Sequence, residues 1–331
     1  MKTNIALSSL FHMRKKKMGG SNFSGEEIHR GLNTLEKIVC SEKFTHGIHK
    51  ELIYLSVINI GLSVSAIVGN TLILIALHKE SSLHAASKLL FRTLAATDLC
   101  IGLIAQPLFV SCWISMVKEQ WSFCRVLNVT GLLISHTLGS VSLMTITAIS
   151  VDRLLALLMG LRYRQTVTLN RSHALLTLIW VLAVVSSVIY FHNYQLTLWV
   201  GYLIISTCLI TSFFSYNRIF MTLRLNQTQV QNIIPRTQPN VIFSLNIVRY
   251  RKTVYNTLWV QFALFVCCLP YIIVGTLLSH TELSPSLFLA WTSTGSLVFL
   301  NSSLNPILYC WRMREVKNAA KETVRQICFF I

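Results

Sequence analysis

The sequence predicts an all-α membrane protein, a seven-transmembrane-helix bundle with a short amphipathic eighth helix. Three observations predict it. Of the 331 residues, 53% are hydrophobic and 12% charged, a balance too apolar for a water-soluble chain of this length. Seven apolar runs, at 52–77, 89–115, 124–158, 174–193, 196–221, 254–279 and 286–310, have the roughly 20 residues that cross a bilayer. The basic residues collect between alternate runs, which is the asymmetry that sets membrane orientation.

The net charge of +17 comes from 29 basic and 12 acidic residues. In a soluble chain it would suggest nucleic acid. Here there is no interleaving of basic and aromatic residues, and the cations flank apolar runs where they meet anionic headgroups. Membrane lipids are therefore expected neighbours and nucleic acid is not. The nine cysteines include no CxxC pair and no metal spacing. No paired carboxylates and no nucleophile–base pair suggest an enzyme.

Residues 1–50 are polar and mixed in charge, and read as a disordered extracellular tail. The cluster Arg14-Lys15-Lys16-Lys17 has no apolar core after it, so the first span is expected to serve as its own insertion signal. Met13 and Met18 are in-frame alternative starts. Asn22-Phe23-Ser24 is a glycosylation sequon, with Asn22 the acceptor. The seven-helix domain follows over 51–311. Its fourth and fifth runs nearly touch, and they are read as two helices because one would be about twice the bilayer thickness.

The loops after the first, third, fifth and seventh spans carry His78, Lys79 and Lys88, then Arg162, Arg164 and Arg171, then a run of arginines over 218–252, then Arg312 to Arg325. The opposite loops carry few charges. This places the N terminus outside and the C terminus in the cytoplasm, in a multi-pass plasma-membrane protein. Residues 223–252, with Pro235 and Pro239, read as the longest cytoplasmic loop, where the sequon at Asn226 stays unmodified. Residues 312–331 read as a basic amphipathic helix and tail on the inner surface.

Two acidic residues lie within the apolar runs. Asp98 is mid-span, where an ionised side chain costs roughly 3 kcal/mol or more, so a functional role is the default reading for it. The alternative is a carboxyl satisfied by neighbouring amides. Asp152 and Arg153 end the third run side by side, which alone is an ordinary snorkelling pair.

Asp152-Arg153-Leu154 also resembles the DRY motif of rhodopsin-like (class A) G-protein-coupled receptors. Gly160-Leu161-Arg162-Tyr163 is similar to that family's second intracellular loop, with glycine replacing proline. Asn305-Pro306-Ile307-Leu308-Tyr309 is similar to its NPxxY motif, and Cys267-Cys268-Leu269-Pro270 to its CWxP, with Cys268 replacing tryptophan. Gly69-Asn70, Asp98, Trp121, Trp180 and the pair Tyr216 and Ile219 fall at family positions, so the resemblance covers about 50–317. Its helix 1, 2 and 7 text is closest to the melanocortin, adenosine, lysolipid and cannabinoid branch.

The resemblance implies a coupling switch of Asp152, Arg153, Tyr216, Pro270, Asn305, Pro306 and Tyr309. It implies a sodium site at Asp98, Ser142, Asn301, Ser302 and Asn305, whose oxygens suit a hard cation. No other cofactor is expected.

The family's usual bridge from helix 3 to the second outer loop is missing, since Asn128 stands at the helix 3 position and 192–197 lacks cysteine. Of the outer cysteines, Cys40 is expected to bridge Cys124 and so fold the tail over the pocket mouth, with Cys112 the rival partner of Cys124.

Several ligand codes are absent. The aminergic aspartate position is Ser135, the opsin lysine position Phe299, the melanocortin acids Leu108, Asn128 and Leu132, and the adenosine asparagine Gly275. The pocket is expected at Phe109, Ser135, His136, Gly139, Cys268, Tyr271, Trp291 and Phe299, largely apolar with a few polar points. For any one of these, helix packing is an equal reading. The function implied is a receptor that senses an unknown extracellular ligand, apolar or lipid-like, and activates a heterotrimeric G protein. The alternatives are a transporter or a non-coupling heteromer partner.

Overall fold

In the computed structural model the described residues are 38–79, 83–189, 194–233, 262–281, 283–312 and 325. All regular structure among them is helical. The principal helices are α1 (His49–Lys79), α2 (Ala85–Val117), α3 (Trp121–Met159), α4 (Leu169–Val188), α5 (Tyr194–Ile233), α6 (Phe262–His280) and α7 (Pro285–Arg312). The first six are long and apolar enough to cross a membrane, counting Leu196–Thr222 of α5. The 28 residues of α7 also exceed a bilayer crossing of roughly 20. That helix is less apolar because it is studded with Ser, Thr and Asn, whose polar groups turn back to its own carbonyls or inward to other helices. Thr292 Oγ1 bonds Phe288 O at 3.0 Å, and Ser303 Oγ reaches Leu62 O on α1 at 2.9 Å.

Two expected boundaries move. The tail is ordered before residue 50: a single turn at Glu42–Thr45 leads into α1, and Val39, Cys40, Phe44 and Ile48 are buried. Apolar burial against the helix ends supplies what composition alone did not. The expected loop over 223–252 is helical as far as Ile233. The fourth and fifth runs do separate, with α4 ending at Val188 and α5 starting at Tyr194. The remainder of that long loop, Asn22, and the amphipathic helix expected after Arg312 lie outside the described residues.

Two of the helix prolines, in α2 and α7, free carbonyls that α1 answers. In α2 the turn Ile101–Ala105 is a π-turn, and Gln106 N–H bonds Ile101 O, five residues back. In that register the partner of Pro107 would be Gly102 O, but proline has no N–H to give. Ser63 Oγ of α1 donates to Gly102 O instead, at 2.7 Å. In α7, Pro306 frees the carbonyl four residues back, that of Ser302. Asn70 Nδ2 of α1 donates to it at 3.1 Å and to Ala66 O at 2.8 Å.

Gly69 lets this approach happen, because a Cβ there would lie 2.8 Å from Pro306 Cγ and 3.0 Å from Pro306 Cβ. A proline ring cannot rotate out of the way. Gly69→Ala is expected to part α1 from α7 and lower stability by about 1–3 kcal/mol, read as a lower melting temperature in nanodiscs. Gly61→Ala, with nothing within 4 Å of the added Cβ, is expected to leave it unchanged or raised.

Candidate functional site

At one end of the bundle α3 runs out into a tight turn, and its last residues form a polar knot. Asp152, 5% exposed, takes a salt bridge from Arg153 Nη2 at 2.6 Å and a second bond from Arg153 Nε at 3.1 Å. Ser87 Oγ, at the start of α2, donates to Asp152 Oδ2 at 3.0 Å, and the Tyr163 hydroxyl donates to Oδ1 at 2.5 Å. Arg153 also reaches Ser87 Oγ and stands 5.9 Å from the Phe91 ring. Burial and the bond to Asp152 push the Tyr163 phenol above its ordinary range, so it stays protonated and donates.

The turn that brings Tyr163 back runs through Gly160, at φ 51°. Proline, locked near −65°, cannot occupy that backbone, so the glycine there is a requirement of this turn. Leu154, the third residue of the motif, packs with Tyr216 and Ile219 of α5. Of the remaining coupling residues, Asn305 and Pro306 are buried in α7, Pro270 lies in α6, and the Tyr309 side chain is outside the described residues.

Asp98 is completely enclosed. Ser142 Oγ of α3 donates to Oδ1 and Asn305 Nδ2 of α7 to Oδ2, each at 2.7 Å, and Ser302 adds a side-chain bond. Three helices thus converge on one carboxyl. Asn301 is buried on the same helix, and among the described residues no hydrogen bond joins it to Asp98. The donor set of one carboxylate with hydroxyl and amide oxygens fits a hard monovalent or divalent cation. The same bonds also satisfy the carboxyl through protein groups alone.

Toward the other end the side chains become aromatic. Phe109 meets Phe299 at 5.6 Å and Trp113 at 6.0 Å, and Tyr271 stacks on Trp291 at 6.2 Å. Tyr202 of α5 joins this set edge-on to Tyr271, and its ring lies in the space a side chain at Gly275 would need. Cys268 is fully buried in the main core with Cys267 and Cys208.

His136 stands apart from the aromatic group. Its Nε2 is 3.2 Å from Ser186 Oγ on α4, and its ring is against Gly201 on α5. Ser135 turns back to Leu132 O, and a Cβ at Gly139 would have open space.

Above the aromatics, Cys40 and Cys124 form a disulfide with Cα atoms 5.9 Å apart. Cys112 remains a thiol, its Sγ 3.7 Å from Cys124 O. Phe44 packs on Phe288 at 5.6 Å, so the tail segment closes that end between α1, α2, α3 and α7.

The 7 transmembrane receptor (rhodopsin family) profile matches residues 69–197, the stretch that carries Asp98, Asp152 and Arg153. This match and the relatives that follow support a rhodopsin-like G-protein-coupled receptor. It is 23% identical to melanocortin receptor 4 of Danio rerio over 83% of this chain and 85% of that receptor. It is 28% identical to adenosine receptor A2b of Canis lupus familiaris over 38% of this chain and 36% of that receptor. With the histamine H1 receptor of Rattus norvegicus it shares 25% over 45% of this chain and 30% of that receptor. These likenesses favour a receptor over the transporter reading.

Sequence reasoning named Asp152 and Arg153 but not Ser87, whose only mark is a small polar residue about one and a half turns before Arg92. Tyr163 was visible only through the loop motif. Tyr163→Phe removes a donor to a buried carboxylate and is expected to cost about 1–3 kcal/mol. Ser87→Ala should cost a similar amount, and the double variant less than the sum because both bonds end on Asp152. Thermal melting of the four proteins checks this.

Proposed function

We propose that this receptor lies in the plasma membrane with its Cys40 end outside and its Arg153 end in the cytoplasm. There it binds an extracellular ligand of apolar or lipid-like character and activates a heterotrimeric G protein. The observation that carries the coupling reading is the knot in which Asp152 holds Arg153 at the end of α3. Basic residues cluster at the same end, including Lys79, Lys88, Arg92, Arg162 and Arg164, which agrees with a cytoplasmic face.

Activation is then a population shift between packings. Arg153 leaves Asp152 for the G-protein cavity, Tyr216 and Tyr309 hold the released state, and α6 swings at Pro270. The bridged tail segment restricts entry from water, which favours a ligand entering between helices.

Arg153→Ala is expected to abolish G-protein activation while surface expression survives, measured by second-messenger and surface-labelling assays across a ligand library. Full signalling by the variant would remove this mechanism.

At Asp98, a sodium ion would be held by Asp98, Ser142, Ser302, Asn301 and Asn305 and would supply positive charge that favours the resting packing. The support is the convergence of three helices on one enclosed carboxyl, met by the Ser142 and Ser302 hydroxyls and the Asn305 side-chain amide. Agonist affinity is expected to fall severalfold as sodium replaces a large inert cation, and Asp98→Asn should remove that dependence. An unchanged sodium response in the variant would return Asp98 to a packing role.

A further inference from the structure

Between α1, α2 and α7, one turn from the Ser63–Gly102 bond toward the Cys40 end, lie two enclosed amides. Antiparallel helices that touch at Ser63 and Gly102 bring Asn59, four residues before the first, level with Gln106, four after the second. The π-turn between Gly102 and Gln106 shifts the angle by some tens of degrees and leaves both on the face toward α1. Asn59 and Gln106 are each 0% exposed. Asn59 Nδ2 donates to Leu55 O at 2.9 Å and to Ser296 Oγ of α7 at 2.8 Å. Asn59 Oδ1 and both amide atoms of Gln106 have no hydrogen-bond partner among the described residues.

An enclosed amide without partners opposes folding, and native proteins keep few. Its surroundings link it to the proposed pocket. Phe109 is three residues beyond Gln106, Phe299 three beyond Ser296, and the two rings meet at 5.6 Å.

We infer that Gln106, with Asn59 and Ser296, is the polar anchor for the head group of an amphiphile that is neutral and both donates and accepts hydrogen bonds, such as a primary alcohol or amide. This rests on the apolar-ligand reading above. Gln106 offers two donors and an acceptor, and Asn59 a further acceptor. A carboxylate would face two acceptors without a cation. An ammonium would find no carboxylate here, because Asp98 lies eight residues back along α2, about 12 Å toward the Arg153 end. An unpaired charge in such surroundings is strongly disfavoured. Since both amides are enclosed, the head group reaches them only as α1, α2 and α7 part. Binding therefore selects a more open packing of this seam.

The test is thermal melting of the full-length receptor in nanodiscs with four probes of one chain: oleyl alcohol, oleamide, oleate and oleylamine. The alcohol and the amide are expected to raise the melting temperature by about 2 °C or more, and the two charged probes are not. Gln106→Leu is expected to melt higher than the wild type without a probe and to lose the response to alcohol and amide, with Gln106→Met as a second variant of similar volume.

Equal responses to all four probes, no response to any, or a response that persists in both variants would overturn the proposal. A stabilised Gln106→Leu without discrimination among the probes assigns the amides to bound water alone and also overturns it. The measurement needs no G protein, so loss of the coupling reading would leave its outcome intact.

Discussion

A helix that contains a proline leaves one carbonyl without its donor, and in an apolar medium that carbonyl has no water to turn to. This receptor has such a proline in α2 and another in α7, and α1 supplies the missing donor to each. Ser63 serves Gly102 O and Asn70 serves Ser302 O. Both bonds need close approach, and glycines permit it: Gly102 lies against Ala66 and Ile67, and Gly69 against the Pro306 ring. The seam of α1 with α2 and α7 is thus fixed by backbone satisfaction rather than by apolar patterning. Helix association in a membrane follows this logic, since lipid is as apolar as leucine and packing with hydrogen bonds decides what meets.

The two buried carboxyls depend on that frame. Asp98 is answered from α3 and α7, and Asp152 from α2 and the turn after α3. Neither set lies on one helix, so each holds only while the helices keep their relative heights. A shift of α3 along its axis changes both at once, since Ser142 and Asp152 both lie on it, which gives a physical route from the middle of the bundle to Arg153. The same reasoning gives the enclosed Asn59 and Gln106 a place in the part of the seam toward Cys40.

Several departures from the family pattern become intelligible in three dimensions. Leu154 stands where tyrosine is usual and fills a small apolar cluster with Tyr216 and Ile219. Gly160 replaces proline at a backbone angle proline cannot adopt. Cys268, where tryptophan is usual, lies in the main core beside Cys267 and Cys208, so that small sulfur-bearing side chains take the place of a large ring on α6. The family's outer bridge is absent, and the Cys40–Cys124 disulfide ties the tail to the top of α3 instead.

The sequence by itself determined the number and order of the helices, the separation of the fourth from the fifth, and the polar residues at issue within the bundle. Length, apolarity and proline act locally and are written along the chain. The carboxyls Asp98 and Asp152 and the basic loops could be read for the same reason, because a charge in or beside an apolar run stands out.

Only the tertiary structure decided which donors meet those carboxyls, that Ile38 to Ile48 is ordered, that α5 continues to Ile233, and that His136 faces α4 and α5 rather than the aromatic group. Ser63, Ser87, Gln106 and Ser296 carry no signal of their own in a row of letters. Each matters because of a partner far away in the chain or the lack of one, and that depends on the rotation and height of helices against one another, which periodicity along a single helix does not encode.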